Sequence, residues 1–416
     1  MADRPLRILA SAYTCEPHAG SEAGIGWNWV RQIASRHELW LITRENVVEL
    51  VEAGAAEFGL SERLTVIGHD LPQWIRRFKR GPRNLYPYYY LWQMAMLPLA
   101  RRWHARIKFD LAHHLTFATV WIPSALAFVS DDLPFVWGSV GSNEPVPQEF
   151  LEPYGLKVRA GEVAKGRVRR AMVKIDPIMR AMQRRAATIL ALNREVLRYV
   201  LPSEHHKVVL CPAMGCEPLD LPAGRYARHE PFRVLCVGRL MYIKQPLLAV
   251  QAFARFVERG AQARLDVVGS GPLNDVVARE VDKLGRDEIE LHGNVPREQV
   301  LKMMMSADAF LFPSFEGAGM VVAEAMESGN PVVCLNAGGP GLWTDNSRGV
   351  VVGVSSYESA VRDIADGLWR LYSDEDERSR RAQAARAFAD EIMVWDRRGE
   401  FIAEVYASAL QHGRQT

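Results

Sequence analysis

Short apolar runs alternate with stretches of helical period along this chain, and the alternation occurs twice. Residues 7–13, 38–43, 64–67, 110–114, 135–137 and 188–192 read as strands, with helical segments between most of them, the first at 27–35 after a loop containing Gly20, Gly24 and Gly26. A second series of strands follows at 232–237, 264–268, 289–292, 309–312, 331–335 and 349–352. Strand and helix in alternation imply a parallel sheet covered by helices. The Pro- and Gly-rich stretch from Cys211 to Gly224 separates the two series and reads as a linker. The expected fold class is therefore α/β, with two Rossmann-like, doubly wound domains facing a central cleft. Folds of this kind bind ligands outside the carboxyl ends of their strands.

Composition narrows the picture little. A chain of 416 residues suits two cores better than one, and 24% charged residues is ordinary for a globular protein. The five cysteines are scattered with no C-x-x-C pair, which argues for a reducing compartment and against a disulfide framework or zinc site. No run of 18 apolar residues is present, and the first residues lack a signal-peptide core. A cytoplasmic protein is expected.

Charge is more informative in its distribution than in its sum. The net charge is +2, yet the first 220 residues are basic and the remainder acidic. Between Trp74 and Lys108 lie nine basic residues and no acidic one, interleaved with Trp74, Phe78, Tyr86, Tyr88, Tyr89, Tyr90, Trp92 and Trp103. A second basic stretch runs from Lys157 to Arg185. Each reads either as a solvated helix face with core aromatics or as a surface for anionic lipid. With a pI of 8.2 and no nucleic-acid motif, nucleic acid is not an expected partner.

The candidate chemistry centres on residues 314–327. Glu316 and Glu324 stand eight apart, and Gly317, Ala318 and Gly319 follow the first acid before Met320. An apolar strand precedes them, and a helix at 321–328 follows, ended by Gly329 and Pro331. Glycines at such a strand-to-helix turn expose backbone N–H groups, and the helix dipole favours an anion there. Two carboxylates flanking an anion site suit a ligand with hydroxyls on either side of a diphosphate, such as a nucleotide-sugar. Arg239 and Lys244 follow the first strand of the second series, where they can clamp phosphate oxygens. The only Asp-x-Asp triplet, Asp374-Glu-Asp376, reads as a helix cap, so no metal site is expected.

This pattern resembles the Glu-x7-Glu signature of retaining GT-B glycosyltransferases, especially family 4 (glycosyl transferases group 1). The resemblance is specific over 232–345 and looser before 220. It implies that Glu316 contacts the donor sugar, Glu324 binds the nucleotide's ribose, and Arg239 and Lys244 hold the diphosphate. Gly317, Ala318, Gly319 and Met320 would line the donor site. Gly293-Asn-Val-Pro296 with Arg297 resembles the base-reading segment, which puts Val295 at the nucleobase; Gly269–Pro272 resembles the family's next loop, and Gly338-Gly339 marks another close backbone approach. In the first series, Gly20 and Ser21 would approach the donor phosphate and the acceptor, and Glu22 would either contact acceptor hydroxyls or cap a helix. His113-His114 resembles a strand ending in a histidine near the donor sugar. Adjacent strand residues point to opposite faces, and His114 is favoured. The loop from Gly138 through Asn143 and Glu144 would touch the acceptor.

The resemblance further implies an N-terminal acceptor domain at 1–212, a linker at 213–230, a nucleotide-sugar domain at 231–392 and a helix at 393–416 crossing back to the first domain. The expected activity is a retaining, metal-independent hexosyltransferase. It would use a nucleotide-diphosphate sugar as donor, no further cofactor, and a glycan or lipid-linked acceptor, in polysaccharide or glycolipid assembly on the inner face of a membrane. The alternatives are another GT-B enzyme, such as a nucleotide-sugar epimerase, and a catalytically silent scaffold.

Overall fold

A computed structural model describes residues 4–77, 84–141 and 146–412. Two parallel sheets organise it. The first contains β1 (Arg7–Ala12), β2 (Glu38–Thr43), β3 (Leu64–Gly68), β4 (Leu111–Thr116), β5 (Phe135–Val140), β6 (Ala186–Ala191) and β7 (Val208–Leu210), in the order β3-β2-β1-β4-β5-β6-β7. The second contains β8 (Phe232–Val237), β9 (Ala263–Val268), β10 (Ile289–Gly293), β11 (Ala309–Phe312), β12 (Val332–Leu335) and β13 (Gly349–Val352), in the order β10-β9-β8-β11-β12-β13. Each order reverses once, between β1 and β4 and between β8 and β11. At such a switch point neighbouring loops diverge and leave room for a ligand.

The strands are apolar on both faces because both faces are covered. In β8, Val234 and Cys236 enter one apolar cluster, while Leu235 between them enters another. In β11, Leu311 joins the first cluster and Phe310 and Phe312 the second. Alternation thus delivers side chains to two cores, and a polar residue at either position would be buried without water.

The chain forms two compact units. One comprises residues 1–142, 168–213 and 395–416, and the other 143–167 and 214–394. Residues 146–167 thus group with the second sheet, whereas the sequence alone put them in the first domain. The cause is apolar burial: Phe150 is fully enclosed and meets Phe315 edge-on at 5.0 Å. Gln245 adds a side-chain hydrogen bond to the Phe150 carbonyl at 3.2 Å. The last helix, Trp395–His412, belongs to the first unit; Trp395 packs edge-on against Trp29 at 5.8 Å, and Gln32 donates to Asp396 at 3.1 Å.

Candidate functional site

In the second unit the loops after β8 and β11 are tied together. A single 3-10 turn, Tyr242–Lys244, follows β8. Its Ile243 carbonyl accepts from the Phe315 N–H at 2.9 Å and from the Ser314 hydroxyl at 3.3 Å. The Ser314 oxygen in turn accepts from the Glu316 N–H at 3.2 Å. These bonds bring the Lys244 ammonium onto the Glu316 carboxylate as an ion pair, with both side chains about four-fifths covered. Lys244 also lies 4.7 Å from the Phe312 ring centroid, a cation–π contact.

Glu316 leads into a turn that only glycine can make. Gly319 is the N-cap of helix Met320–Glu327, at φ 80°. A Cβ there would stand 2.9 Å from Pro340 and 3.5 Å from the nearer Glu316 carboxylate oxygen. Gly338, at φ 58°, is as constrained: its Cβ would meet the Glu316 carbonyl at 2.1 Å. The backbone at Gly338 and Gly339 therefore lies directly against the 316–318 backbone. The N–H groups of Met320 and Val321 have no intrahelical acceptor by construction, while the Val322 N–H donates to the Gly319 carbonyl at 2.9 Å; this end of the helix carries the positive pole of the dipole.

Glu324 lies one to two turns along that helix and is buried, with the Arg297 guanidinium on its carboxylate at 2.5 Å. Arg297 opens helix Arg297–Met305, directly after Pro296. Val295 and Met320 border the same apolar cluster as Val237 at the end of β8. The loops after β8, β9 and β10 are stitched together: Leu240 N–H donates to Ser270 O at 3.2 Å, Gly269 N–H to Gly293 O at 2.7 Å, and Ser270 Oγ to Asn294 Oδ1 at 2.8 Å. Arg239 is exposed at the carboxyl end of β8, and no ion pair engages it among the described residues. In the second unit Arg239, Lys244, Val295, Glu316, Gly317, Ala318 and Gly319 lie between the carboxyl ends of strands and the elements that follow, and Met320 and Glu324 lie on the helix that begins after Gly319.

The sequence named Arg297 and Ser314 but not the pairing of Arg297 with Glu324, the bridge made by Ser314, or the attachment of residues 146–167 to the second unit. A cation at the start of a helix, where acids are favoured, was the available signal for Arg297. The other two depend on tertiary contact and carried none. Asp374 caps helix Glu375–Phe388, accepting from the Glu377 N–H at 2.8 Å.

The first unit differs more from expectation. The glycine-rich stretch from Gly20 to Gly26 is helix, not loop: helix Ser21–Ala34 begins there. Gly24 and Gly26 permit it, since a Cβ would meet the Ala19 carbonyl at 2.0 Å and the Thr14 carbonyl at 2.2 Å. Gly20 and Ser21 stand exposed at its tip. Glu22 does not cap the helix; its carboxylate accepts from the Phe117 N–H at 3.0 Å, and burial pushes its pKa up to about 7.

The histidine pair is also corrected. β4 runs on through Thr116, so His113 and His114 sit within the strand and not at its end. His114 is fully buried with Nε2 3.1 Å from the Tyr89 hydroxyl, which accepts from Gln93 at 2.7 Å. His113 is enclosed between the Tyr406 hydroxyl and the Gly138 carbonyl, each at 2.7 Å. Burial holds the two imidazoles neutral, with pKa values near 3 for His113 and 4 for His114. Neither ring reaches solvent. Similarly, Tyr88, Tyr89 and Trp92 of the basic, aromatic stretch are core residues, and Trp74 is its most exposed ring among the described residues. Phe78, Lys79, Arg80, Arg83, Asn143 and Glu144 lie outside the described residues.

Solved structures share this architecture over nearly the whole chain. A glycosyltransferase from Rickettsia africae aligns with a TM-score of 0.64 at 14% identity, covering 98% of this chain and 99% of that one. HepE from Anabaena, in complex with UDP and glucose, aligns at 0.59 and 14%, covering 97% and 100%. At such identities the likeness establishes the fold, which is GT-B. Residues 223–388 match the family described as glycosyl transferases group 1, so the second unit carries a domain of that family. A D-inositol 3-phosphate glycosyltransferase from Xylanimonas cellulosilytica is 32% identical over 185 residues, 43% of this chain and 42% of the relative. A GDP-mannose-dependent phosphatidylinositol monomannoside mannosyltransferase from Mycolicibacterium smegmatis is 27% identical over 201 residues, 46% and 51%. The chain matches about half the length of these curated relatives.

Proposed function

We propose that this protein is a retaining, metal-independent glycosyltransferase that moves a hexose from a nucleotide-diphosphate sugar to a glycan or lipid-linked acceptor. The observation that carries the proposal is the Lys244–Glu316 ion pair held against the glycine turn that opens helix Met320–Glu327. A cation, a helix N-terminus and a carboxylate meet there within one short loop system. On this reading Lys244, Arg239 and the N–H groups near Gly319 take the diphosphate. Glu316 accepts hydrogen bonds from sugar hydroxyls and Glu324 from the ribose. Val295 borders the base.

Charge develops on the leaving diphosphate as its bond to the anomeric carbon breaks, and fixed cations stabilise that charge more in the transition state than in the ground state. The acceptor oxygen forms its bond on the face the phosphate leaves, and a phosphate oxygen takes the acceptor's proton. Configuration is then retained. The buried His114 receives no contact with substrate in this scheme. The relatives' names point to a polyol or a polyol-headed lipid as acceptor class.

The test is nucleotide release from a panel of uridine, guanosine and adenosine diphosphate sugars. Wild type should release one nucleoside diphosphate with acceptor present, in chelator as well as in magnesium, and Lys244→Ala should not. No release from any donor, or a strict requirement for a divalent ion, would remove the proposal. No helix among the described residues is long and apolar enough to cross a membrane.

A further inference from the structure

Helix Leu156–Ile175 turns its apolar residues outward. Its buried positions are Glu162 and Gly166. Leu156, Val168 and Ile175 stand 78%, 57% and 75% exposed, and Val163 is exposed with them. At about 100° per residue, Leu156 and Val163 form one line along the outer surface and Val168 and Ile175 a second. Ala160, Ala164 and Ala171 fill the strip between the lines and are also exposed. Lys157, Arg167 and Lys174 share this face and Arg170 borders it, all four exposed. The helix has a single acid, Glu162, and it is used on the inner side, accepting from the Tyr242 hydroxyl at 2.6 Å.

An outward strip that is apolar and cationic with no acid is poorly matched to water. Apolar side chains in water lose the gain of burial, and clustered cations repel one another. We propose that the outer face of helix Leu156–Ile175 is a docking surface for an anionic lipid bilayer. In that setting the apolar strip enters the boundary between headgroups and acyl chains, while the long Lys and Arg stems carry their charges to the phosphates. Charge complementarity selects this occupant over the others. A second copy presenting the same face would oppose like charges. A nucleic acid would satisfy the cations and leave Leu156 and Ile175 in water.

The inner side of the same helix reaches the donor loop. Lys165 donates to the Tyr242 hydroxyl at 3.2 Å, and Tyr242 begins the turn that ends at Lys244. Bilayer and donor thus lie on opposite sides of one helix. The inference deepens the proposal of a lipid-linked acceptor, and its test is separable from it.

The experiment is flotation of the full chain, without donor, on phosphatidylcholine vesicles with and without phosphatidylglycerol. Wild type should float with the anionic vesicles only, and less as salt is raised. Lys157→Glu/Arg167→Glu/Lys174→Glu should weaken binding roughly a hundredfold. Leu156→Ser/Val163→Ser/Ile175→Ser, which keeps the charges, should weaken it about tenfold. Both variants should keep the wild-type melting temperature, because the altered side chains are exposed. Lys283→Glu, on helix Asn274–Leu284, should float as wild type does. Equal flotation of wild type and the charge-reversed variant would overturn the proposal. So would a concentration-dependent dimer that the serine variant abolishes while wild type fails to float. Absence of flotation removes the docking face and leaves the transferase reading standing; absence of nucleotide release does the reverse.

Discussion

Replacing Lys244 by methionine keeps most of the side chain's volume and removes its charge. Without donor, Lys244 and Glu316 neutralise each other, and neither is more than about a fifth exposed. At an effective dielectric of about 20, unit charges about 4 Å apart interact by about 4 kcal/mol. The substitution therefore leaves Glu316 as an unbalanced anion beside the proposed diphosphate position. Hydrogen bonds to charged groups contribute about 1.5–3 kcal/mol each, and the freed carboxylate adds repulsion. Nucleoside diphosphate affinity should fall by about 2–4 kcal/mol, roughly 30- to 1,000-fold. Glu316→Gln alone should change that affinity less than about threefold, because its proposed contacts are with the sugar, and should instead depress turnover. The double variant should then recover about 1–2 kcal/mol relative to Lys244→Met, since the repelling charge is gone. Titration calorimetry of all four proteins at moderate salt closes the cycle. Additivity would refute the coupling, and wild-type affinity in Lys244→Met would refute the diphosphate assignment.

Glu324→Ala should weaken nucleoside diphosphate binding by about 1–3 kcal/mol; calorimetry with the ribo- and deoxyribonucleotides should show their difference shrinking in the variant. Gly338→Ala imposes roughly 1–2 kcal/mol of left-handed strain, and its Cβ would press the Glu316 carbonyl, so both melting temperature and nucleotide affinity should drop. His114 titrates near 4 in the folded protein and near 6.5 unfolded, so its contribution is intact above pH 6.5 and is lost as pH falls toward 4. Thermal melts should show stability falling in that window by up to about 1.4 kcal/mol per pH unit from this group, and His114→Gln should flatten the slope. Glu22 titrates near 7 when folded and near 4.5 when unfolded, so its ionisation works against the fold as pH rises above about 4.5; Glu22→Gln should raise the melting temperature at pH 7–8 and flatten its decline with pH, and an unchanged pH profile would refute the burial of this carboxyl.

What was legible in the sequence is what local rules determine. Strands such as Phe232–Val237 and Ala309–Phe312 announce themselves because both their faces are buried, and the turn at Gly319 because only glycine occupies its backbone angles. β7 (Val208–Leu210) was missed; it is three residues long, and two of them are exposed. The 146–167 segment was misplaced because its attachment rests on Phe150 meeting Phe315, residues far apart in the chain. The glycines at 24 and 26 looked like loop residues, yet they serve close helix packing, a use that sequence spacing does not distinguish. His114 looked like a strand end only because Leu115 and Thr116 continue a strand with a mild, mixed pattern.

The same distinction runs through the candidate site. Glu316 and Glu324 could be read from their spacing, but their partners could not: one carboxylate is held by Lys244 and the other by Arg297. These partners make different demands on a ligand. Lys244 is mostly covered and is fixed by a turn bonded to Ser314 and Phe315, so on the proposed reading it stays in place and exchanges a carboxylate for phosphate oxygens. Arg297 is over half exposed on a long side chain, so solvent screens its hold on the buried Glu324 carboxylate. A ribose can therefore displace it at small cost. The lysine is preorganised for the leaving group, and the arginine is a replaceable cover over the carboxylate that would receive the ribose.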